Sequence, residues 1–275
     1  MPAALVINAA GINCDAELGR AFELAGADAE FIHLNRLMDE PDLIERFDLI
    51  GLPGGFSYGD AIAAGRIMAA LIRQRLYRPL VEAVERGVPI FAPCNGFQIA
   101  VQAGLLPGPA PGEPWPDDPP VPTASLGVNA SGRFVDCWTR IEIPPPAQSR
   151  CVWTRNVHGN ERTLILPNAH GEGRFIVADD DLIAQLEENG QIALRYHSED
   201  NFNGSSARIA GICDASGLIF GLMPHPERYT RWELHPFWTR LTDEEKAGDP
   251  PGLQIFRNAV EHVANRCGNT VMARP

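Results

Sequence analysis

The feature that most restricts the fold of this sequence is the alternation of short apolar runs with helical stretches over about its first hundred residues. Continuous apolar strands separated by helices predict a parallel sheet that is covered by helices on both faces. The predicted strands of this half are Ala3–Asn8, Ala29–His33, Phe47–Leu52 and Val88–Ala92. The predicted helices are about Asp15–Ala25, a long stretch over about Ala61–Arg86 that is broken or kinked near Pro79, and a third that ends at about Ala103.

The second half of the sequence is richer in strand patterns, as expected where a doubly wound sheet carries a mixed or antiparallel edge. One helix is predicted over Asp180–Glu188 and a final helix over about Gly252–Asn265. We therefore expect an α/β fold with a doubly wound, mostly parallel sheet and an antiparallel or mixed extension. The strand-like runs of this half are Phe134–Ile143, Thr163–Leu166, Phe175–Ala178, Ile192–Tyr196, Ala207–Cys213 and Leu218–Leu222.

One segment interrupts the pattern of strands and helices. Residues 107–122 contain eight prolines in sixteen positions, together with Trp115 and the acidic pair Asp117 and Asp118. Proline fixes φ and removes a backbone donor, so the segment leaves no room for a helix or a strand ladder. Because no internal repeat or linker is visible, we interpret it as a surface insertion in a single domain spanning residues 1–275.

Composition narrows the class of function. The net charge is -12 and the 23 Lys and Arg residues are scattered, which disfavours a nucleic-acid partner. No run of about 18 apolar residues predicts a membrane span, and the start of the sequence lacks the basic and apolar regions of a signal peptide. The six cysteines are irregularly spaced without a C-x-x-C pair, which is typical of reduced thiols. We expect a cytoplasmic protein.

Cys94 is the first candidate for chemistry, because it lies where a predicted strand runs directly into a helix. A nucleophile on such a turn is held clear of the sheet, at the N-terminal end of the following helix. The helix dipole and free N–H groups there favour the reactive thiolate. The N–H of Asn95 would point toward a carbonyl under attack. The alternative is that Cys94 is a small buried hydrophobic residue.

Two further segments carry candidate residues. Gly54 and Gly55 follow the third predicted strand, where glycine lets the main chain approach a ligand and direct an N–H at it; an ordinary turn is the alternative. His225 and Glu227 are two residues apart in a proline-stiffened segment, so both side chains can face the same way. Glu227 can then orient the imidazole while His225 exchanges a proton with the thiol. A surface loop with a solvated Glu227 is the alternative there.

The ordered set of these segments resembles the class I glutamine amidotransferases, and among them the glutaminase subunits of phosphoribosylformylglycinamidine synthases. The similarity spans nearly the whole chain in the same order, and the second and third segments are specific within the superfamily. The segments that carry it are Asn13-Cys14-Asp15, Gly54-Gly55-Phe56-Ser57-Tyr58-Gly59-Asp60, Cys94-Asn95-Gly96-Phe97-Gln98, Ala169-His170-Gly171-Glu172-Gly173-Arg174 and Met223-Pro224-His225-Pro226-Glu227.

The resemblance implies a flavodoxin-like fold and a set of roles. It implies Cys94 as nucleophile, His225 as acid and base, and Glu227 as the residue that orients His225. It further implies Gly55 and Asn95 as oxyanion donors, with Gly54 and Gln98 beside them at the substrate. The implied reaction is attack on the glutamine side-chain amide, release of ammonia, and hydrolysis of a glutamyl thioester.

The resemblance also implies partners. Ammonia would pass to a synthetase subunit that uses ATP and Mg²⁺ to convert formylglycinamide ribonucleotide into its amidine in purine biosynthesis, and a small third subunit often completes the complex. No P-loop is visible in this sequence, so ATP would bind to the partner. We expect neither a metal nor a cofactor in this subunit, since His and Cys lack ligand spacing.

The sequence alone does not decide the roles of some residues. His170, Glu172 and Arg174 would line either the glutamine pocket or a subunit interface, and a turn with a surface ion pair is the alternative. Asp15 would cap the first helix, and Cys14 has no base nearby in sequence that would make it reactive. The chain has Ala92 where the family usually has glycine, and Pro93 precedes Cys94, which affects the expected geometry of the turn.

Two rival functions remain compatible with the same residues. One is a stand-alone Cys-dependent hydrolase, such as a peptidase, which would turn over peptides without selectivity for glutamine. The other is a non-enzymatic regulatory or scaffold subunit, in which Cys94 would resist a glutamine-analogue label. The partner contacts of residues 107–122 and of the region 231–250 are a further expectation, with solvated insertions as the alternative.

Overall fold

The computed structural model describes the backbone of residues 1–272, with side chains up to Arg266. Nine of the strands form one sheet and the other two form a separate pair. The strands in chain order are β1 Ala3–Asn8, β2 Asp28–His33, β3 Leu49–Gly51, β4 Ile90–Pro93, β5 Ala124–Val128, β6 Val135–Glu142, β7 Ile165–His170, β8 Glu172–Val177, β9 Ile192–Tyr196, β10 Ile209–Cys213 and β11 Ile219–Leu222. The helices are α1 Asp15–Ala25, α2 Leu34–Asp39, α3 Arg66–Arg75, α4 Tyr77–Glu85, α5 Asn95–Ala103, α6 Asp181–Glu188 and α7 Pro251–Met272.

The large sheet is parallel in one half and antiparallel in the other. Its order is β2-β1-β3-β4-β11-β10-β9-β6-β7. The first five strands pair in parallel, and the pairs from β11 to β7 are antiparallel. The predicted fold class, a mostly parallel sheet with an antiparallel extension, is therefore confirmed.

Helices cover the parallel half on both faces, as its continuous apolar strands require. On one face Phe22 of α1 and Phe91 of β4 pack on Phe256 of α7, with ring centroids 5.5 and 4.7 Å apart. On the other face the rings of Phe97 in α5 and Phe175 in β8 stack at 6.2 Å. Strand β4 is completely buried between these layers, so the residue that follows it emerges at the carboxyl edge of the sheet.

The predicted helical stretch over about Ala61–Arg86 is broken, as expected, but it starts later and the break lies at Leu76 rather than at Pro79. Residues 61–65 form a loop, and α3 and α4 are separate helices that break at Leu76. Pro79 is the third residue of α4. An N–H in the first turn has no intrahelical acceptor, so proline is tolerated there and does not mark the break.

Other element boundaries differ because tertiary pairing decides them. Strand β7 extends to His170, beyond the predicted Leu166, because each residue from Ile165 to His170 pairs with β6. Strand β5 and the six-residue helix α2 were not predicted, since both are too short for a clear period. Helix α7 runs beyond the predicted Asn265.

The proline-rich segment lies against the protein without forming a helix or a strand. The guanidinium of Arg73 donates to the carbonyl oxygens of Pro119 and Pro120 at 3.0 and 2.9 Å, and Trp115 packs on the core. No helix within residues 1–272 combines the length and the apolar character needed to cross a membrane.

Candidate active site

Cys94 lies on a strained turn between β4 and α5. Its φ of 49° and ψ of -108° are unusual for a residue other than glycine, which costs about 1–3 kcal/mol and needs support from the surrounding structure. The N–H of Cys94 donates to Leu222 in β11 at 2.7 Å, and its carbonyl accepts from Phe97 and Gln98 in α5. A methyl group on Gly96 would lie 2.0 Å from the carbonyl oxygen of Leu52, so only glycine allows this close packing.

The departures from the usual family pattern do not prevent this geometry. Ala92 is fully buried and pairs with Gly221 of β11, and Pro93 pairs with Leu222. The strand thus continues in register up to Pro93, and the chain turns sharply at Cys94 into the first residue of α5. Cys94 therefore sits at the N-terminal end of a helix, where the dipole favours negative charge.

His225 and Glu227 form a buried pair just after β11. Nδ1 of His225 lies 2.6 Å from Oε1 of Glu227, and the two residues are 2% and 3% exposed. The N–H of His225 donates to the carbonyl of Pro167 in β7 at 2.8 Å, which anchors the segment to the sheet edge. Because the carboxylate accepts from Nδ1, Nε2 is the ring nitrogen left for Cys94, whose side chain interacts with the imidazole; Nε2 has no hydrogen-bond partner among the described residues.

The charges of this group favour a protonated imidazole. Burial lowers the pKa of His225, but the negative charge of Glu227 and the charge and hydrogen bonding of Cys94 outweigh burial and raise the pKa to about 10. His225 is therefore an imidazolium at neutral pH, hydrogen-bonded on one side and facing the Cys94 sulfur on the other. A proton is thus available next to the nucleophile.

Gly54 lies between the imidazole and the thiol side chain. A methyl group on Gly54 would lie 2.9 Å from Cε1 of His225 and 3.5 Å from Cβ of Cys94. The sequence separates these residues widely, yet the fold brings both side chains against the same glycine. The absence of a side chain at position 54 is what lets the predicted nucleophile and its base approach each other.

The two backbone N–H groups predicted as oxyanion donors have no backbone acceptor among the described residues. Asn95 is the first residue of α5, where N–H groups lack an intrahelical acceptor, and the N–H of Gly55 has no acceptor among the described residues. The side chain of Asn95 accepts from the N–H of Ser57 at 3.1 Å and donates to Gln98 at 2.8 Å. The Asn95 side chain therefore ties the glycine turn to the helix, and the role of the two N–H groups as oxyanion donors stays a prediction.

Gln98 and Glu172 are in contact with each other beside the nucleophile turn. The Gln98 amide donates to the carbonyl of Glu172, and the carboxylate of Glu172 accepts from the N–H of Ala64 at 3.4 Å. Sγ of Cys94 lies 3.8 Å from the carbonyl oxygen of Ala169. Strand β7 thus lies against the thiol, and the residue Cys94 is only 6% exposed; the expectation that the turn holds the nucleophile clear of the sheet is not met in this conformation.

His170 is buried rather than part of a surface turn. Its Nδ1 lies 3.0 Å from Oδ1 of Asn129, whose amide donates to the carbonyls of Arg133 and His170. Because that amide group is used as a donor, Oδ1 accepts and Nδ1 carries the proton. Burial and the charge of His225 lower the pKa of His170 to about 3, so its imidazole is neutral.

Arg174 is the predicted residue that the fold does not bring to the nucleophile. It is exposed in β8, and its Nε donates to the carbonyl of Gly204 at 3.2 Å. No ion pair joins it to Glu172 within the described residues, so the alternative of a surface ion pair at this turn is wrong. Nor do the described residues contain three His, Cys, Asp or Glu side chains placed to hold a metal ion.

Cys14, which the sequence analysis did not consider reactive, and Arg228, which it did not single out, lie close to this group. Cys14 occupies the N-terminal cap position of α1 without a side-chain cap, and Asp15 is the first helical residue, so the expected Asp15 cap is wrong. The guanidinium of Arg228 donates to Sγ of Cys14 at 3.1 Å. Two sequence features could have pointed to these residues: the Asn13-Cys14-Asp15 motif, and the position of Arg228 directly after Glu227.

Comparison with known proteins identifies the family. Residues 1–263 match the CobB/CobQ-like glutamine amidotransferase domain. The phosphoribosylformylglycinamidine synthase subunit PurQ of Dehalococcoides mccartyi is 38% identical over 263 residues, covering 94% of this chain and 96% of that protein. The PurQ subunit of Treponema denticola is 40% identical over 278 residues, covering 95% and 99%.

A solved structure agrees with the sequence relatives. A chain in the structure of PurLQS from Thermotoga maritima is 30% identical, superposes with a TM-score of 0.70, and covers 95% of this chain and 99% of its own length. The similarity therefore extends over the sheet, the elbow at Cys94 and the segment that carries His225, and the resemblance found in the sequence is confirmed. The chain belongs to the CobB/CobQ-like glutamine amidotransferases and, within them, to the PurQ subunits of phosphoribosylformylglycinamidine synthase.

Proposed function

We propose that this chain hydrolyses the side-chain amide of L-glutamine with Cys94 as nucleophile, His225 as acid and base, and Glu227 as the residue that orients His225. The observation that carries the proposal is the buried contact of 2.6 Å between His225 and Glu227, beside a glycine whose other neighbour is Cys94 at a strand-to-helix turn. Each member of such a set is ordinary alone, but together they supply nucleophile, proton carrier and orienting carboxylate.

The reaction follows from these positions. The Cys94 thiolate adds to the amide carbon, and the carbonyl electrons move onto oxygen, where the N–H groups of Gly55 and Asn95 donate to it. The imidazolium of His225 gives its proton to the departing nitrogen, ammonia leaves, and a glutamyl thioester remains. His225, now neutral, takes a proton from water as the water attacks the thioester, which releases glutamate and regenerates the thiolate.

The covering of Cys94 bears on substrate entry. With the thiol 6% exposed, glutamine reaches it only when the turn between β7 and β8 moves. That movement separates the Gln98 amide from the carbonyl of Glu172 and the Glu172 carboxylate from the N–H of Ala64, and it frees the Gln98 amide for the substrate. Gln98 and Gly54 are accordingly proposed as substrate-binding residues, and His170 and Glu172 as neighbours that shape the pocket; Arg174 faces away and remains a candidate for an interface.

The destination of the ammonia is a partner subunit. The PurQ relatives carry the name of a phosphoribosylformylglycinamidine synthase subunit, and the similar solved chain belongs to a structure described as PurLQS. Both support a synthetase partner. We propose that this partner uses ATP and Mg²⁺ to convert formylglycinamide ribonucleotide into its amidine, and that a small third subunit completes the complex. ATP, Mg²⁺ and the nucleotide are assigned to the partner, and this chain supplies ammonia without a cofactor of its own.

The test is affinity labelling with a diazo-ketone analogue of glutamine followed by peptide mass spectrometry, in the presence of the synthetase and its substrates. We expect the label on Cys94, competition by glutamine, and neither label nor glutaminase activity in the Cys94→Ala variant. Cys151→Ala is the matched control, because Cys151 is also buried and lies between β6 and β7, outside the strand-to-helix turn. Labelling of another residue, or glutaminase activity that survives Cys94→Ala, would refute the assignment.

A further inference from the structure

A contact outside the proposed triad links the two sides of the site. The guanidinium of Arg228 donates to Sγ of Cys14 at 3.1 Å, although the two residues are 214 positions apart. The same guanidinium lies 3.7 Å from the carboxylate of Glu17 in α1. The thiol of Cys14 in turn lies 3.5 Å from Oδ1 of Asn13. Cys14 is thus held in place by one donor and one acceptor.

The main chain of Cys14 orients a peptide group of the site. Its N–H donates to the carbonyl of Gly54 at 3.3 Å. In a trans peptide the carbonyl oxygen and the following N–H point in opposite directions. The hydrogen bond from Cys14 therefore directs the N–H of Gly55 away from residues 12–14 and leaves it free of any acceptor among the described residues.

The space around this peptide leaves little freedom. Gly55 has a φ of 139°, and a side chain there would lie 2.7 Å from the backbone nitrogen of Asn13. Phe56 donates to the carbonyl of Gly11 at 3.0 Å, so the turn is tied to the same loop on its other side. The position of the loop that contains Cys14 consequently sets the orientation of the Gly54–Gly55 peptide.

Arg228 joins this loop to the segment of the base. It is the residue after Glu227, and its N–H donates to the carbonyl of His225 at 3.1 Å. The positive charge of Arg228 also interacts with Glu227 and Cys94. One side chain therefore connects the orientation of the oxyanion peptide to the position of the imidazole.

We propose that Cys14 and Arg228 are positioning residues, whose contact holds the Gly54–Gly55 peptide so that the N–H of Gly55 points at the developing oxyanion. The inference rests on the proposed function, since it assigns a role toward the same reaction. Cys14 acts through its neighbours and does not attack substrate: burial and the charge of Glu227 raise its pKa to about 12, so it remains a thiol at neutral pH.

The test compares Cys14→Ala and Arg228→Gln with the unmodified protein, each assembled with the synthetase. We expect the glutaminase kcat to fall about tenfold in each variant while KM changes less than about twofold, because a misdirected donor costs less than the loss of about 10²–10³ when a donor is removed. The double variant should lose little more than either single variant, since both changes break one contact. Arg228→Lys, which keeps a charged donor, should recover part of the activity.

Two binding measurements separate positioning from general damage. A γ-aldehyde analogue of glutamine adds reversibly to the Cys94 thiolate and places its oxygen in the oxyanion position, so its affinity should fall by the same factor as kcat. Alkylation of Cys94 by iodoacetamide forms no oxyanion, and its rate should stay within about twofold. Cys151→Ala and Arg231→Gln are the controls, because neither residue contacts the group.

The possible results are distinguishable. Folded variants with unchanged kcat and unchanged aldehyde affinity would overturn the role of Cys14 and Arg228, while the assignment of Cys94 would stand on its labelling. If the rate of Cys94 alkylation and the affinity for the aldehyde fell by the same factor, the positioning role would also be overturned, because the nucleophile itself would then be displaced. Failure of the Cys94→Ala test would instead remove the proposed function.

Discussion

The carboxylate of Glu227 accepts a hydrogen bond from Nδ1 of His225 at 2.6 Å, with both side chains almost completely buried. A charged carboxylate in such a place is costly unless a cation or a donor faces it. The imidazolium supplies both, and the other ring nitrogen is consequently fixed in the direction of Cys94. The pair therefore fixes the orientation of the ring before any substrate binds, and it fixes the tautomer of the neutral imidazole that forms during the reaction.

Replacing Glu227 with Gln tests this dependence. The amide can present either an acceptor or a donor to Nδ1, so the imidazole loses its charge partner and its fixed tautomer. We expect the glutaminase kcat to fall by about 10²-fold or more, as when the orienting carboxylate of a triad is neutralised. The measurement is steady-state glutaminase activity with the synthetase present.

Glu233→Gln is the control for that variant, since Glu233 is exposed and follows the same segment. It should behave like the unmodified protein. Glu227→Gln with normal kcat, in a protein of unchanged stability, would contradict an orienting role for Glu227.

The charge of His225 gives a second prediction, on stability. Its pKa in the folded protein is about 10, above the value of about 6.5 in the unfolded chain. Between these pH values the folded state retains a proton that the unfolded state has lost, so this contribution to stability is complete below about pH 6.5 and disappears as the pH rises through about 10. His225→Asn should lack this part of the pH dependence.

The measurement is the free energy of unfolding from urea titrations between pH 6 and 10. The difference between the unmodified protein and His225→Asn should shrink with rising pH, by no more than about 1.4 kcal/mol per pH unit, the limit for one proton. A difference that stays constant over this range would show that the imidazole is neutral in the folded protein.

His170 gives the opposite dependence. Burial and the charge of His225 lower its pKa to about 3, below that of the unfolded chain. The unfolded state therefore binds a proton first, so stability is present above about pH 6.5 and is lost as the pH falls toward about 3. His170→Asn should reduce the loss of stability between pH 6.5 and 4.5, whereas a change at the exposed His158 should not.

The parts of the fold and site that could be predicted from sequence are those with a local signal. The parallel strands are continuous apolar runs, and the turn at Cys94 combines the end of such a run with glycine two residues later. His225 and Glu227 are two residues apart, so their common direction follows from extended backbone. Their approach to Cys94 required the whole sheet, and only the family resemblance indicated it in advance.

The parts of the fold and of the site that could not be predicted from sequence depend on contacts between distant segments. The pairing of β7 with β6 decides that His170 ends a buried strand, and no period in residues 163–170 reveals that pairing. The contact of Arg228 with Cys14 spans 214 positions. The covering of Cys94 by the turn at Glu172 likewise depends on how β7 and β8 are placed over α5, which a one-dimensional pattern does not contain.

Gly54 allows a test of the close approach between the imidazole and the thiol. In Gly54→Ala the new methyl group would lie 2.9 Å from Cε1 of His225 and 3.5 Å from Cβ of Cys94. Contact at 2.9 Å requires the imidazole to move, and His225 is held on its other side by Glu227 and Pro167. We expect a loss of glutaminase activity of about 10²-fold, because displacement of a catalytic group by about 1 Å has that effect.

The matched control is Gly127→Ala in β5, whose new methyl group would meet only the flexible end of Ile176 at 2.7 Å. The two variants should show similar urea midpoints, while only Gly54→Ala loses activity and slows the reaction of Cys94 with the diazo-ketone analogue. If Gly54→Ala is folded and labels Cys94 at the normal rate, the imidazole does not need its present position to activate the thiol. His225 would then be too loosely held for the mechanism proposed here.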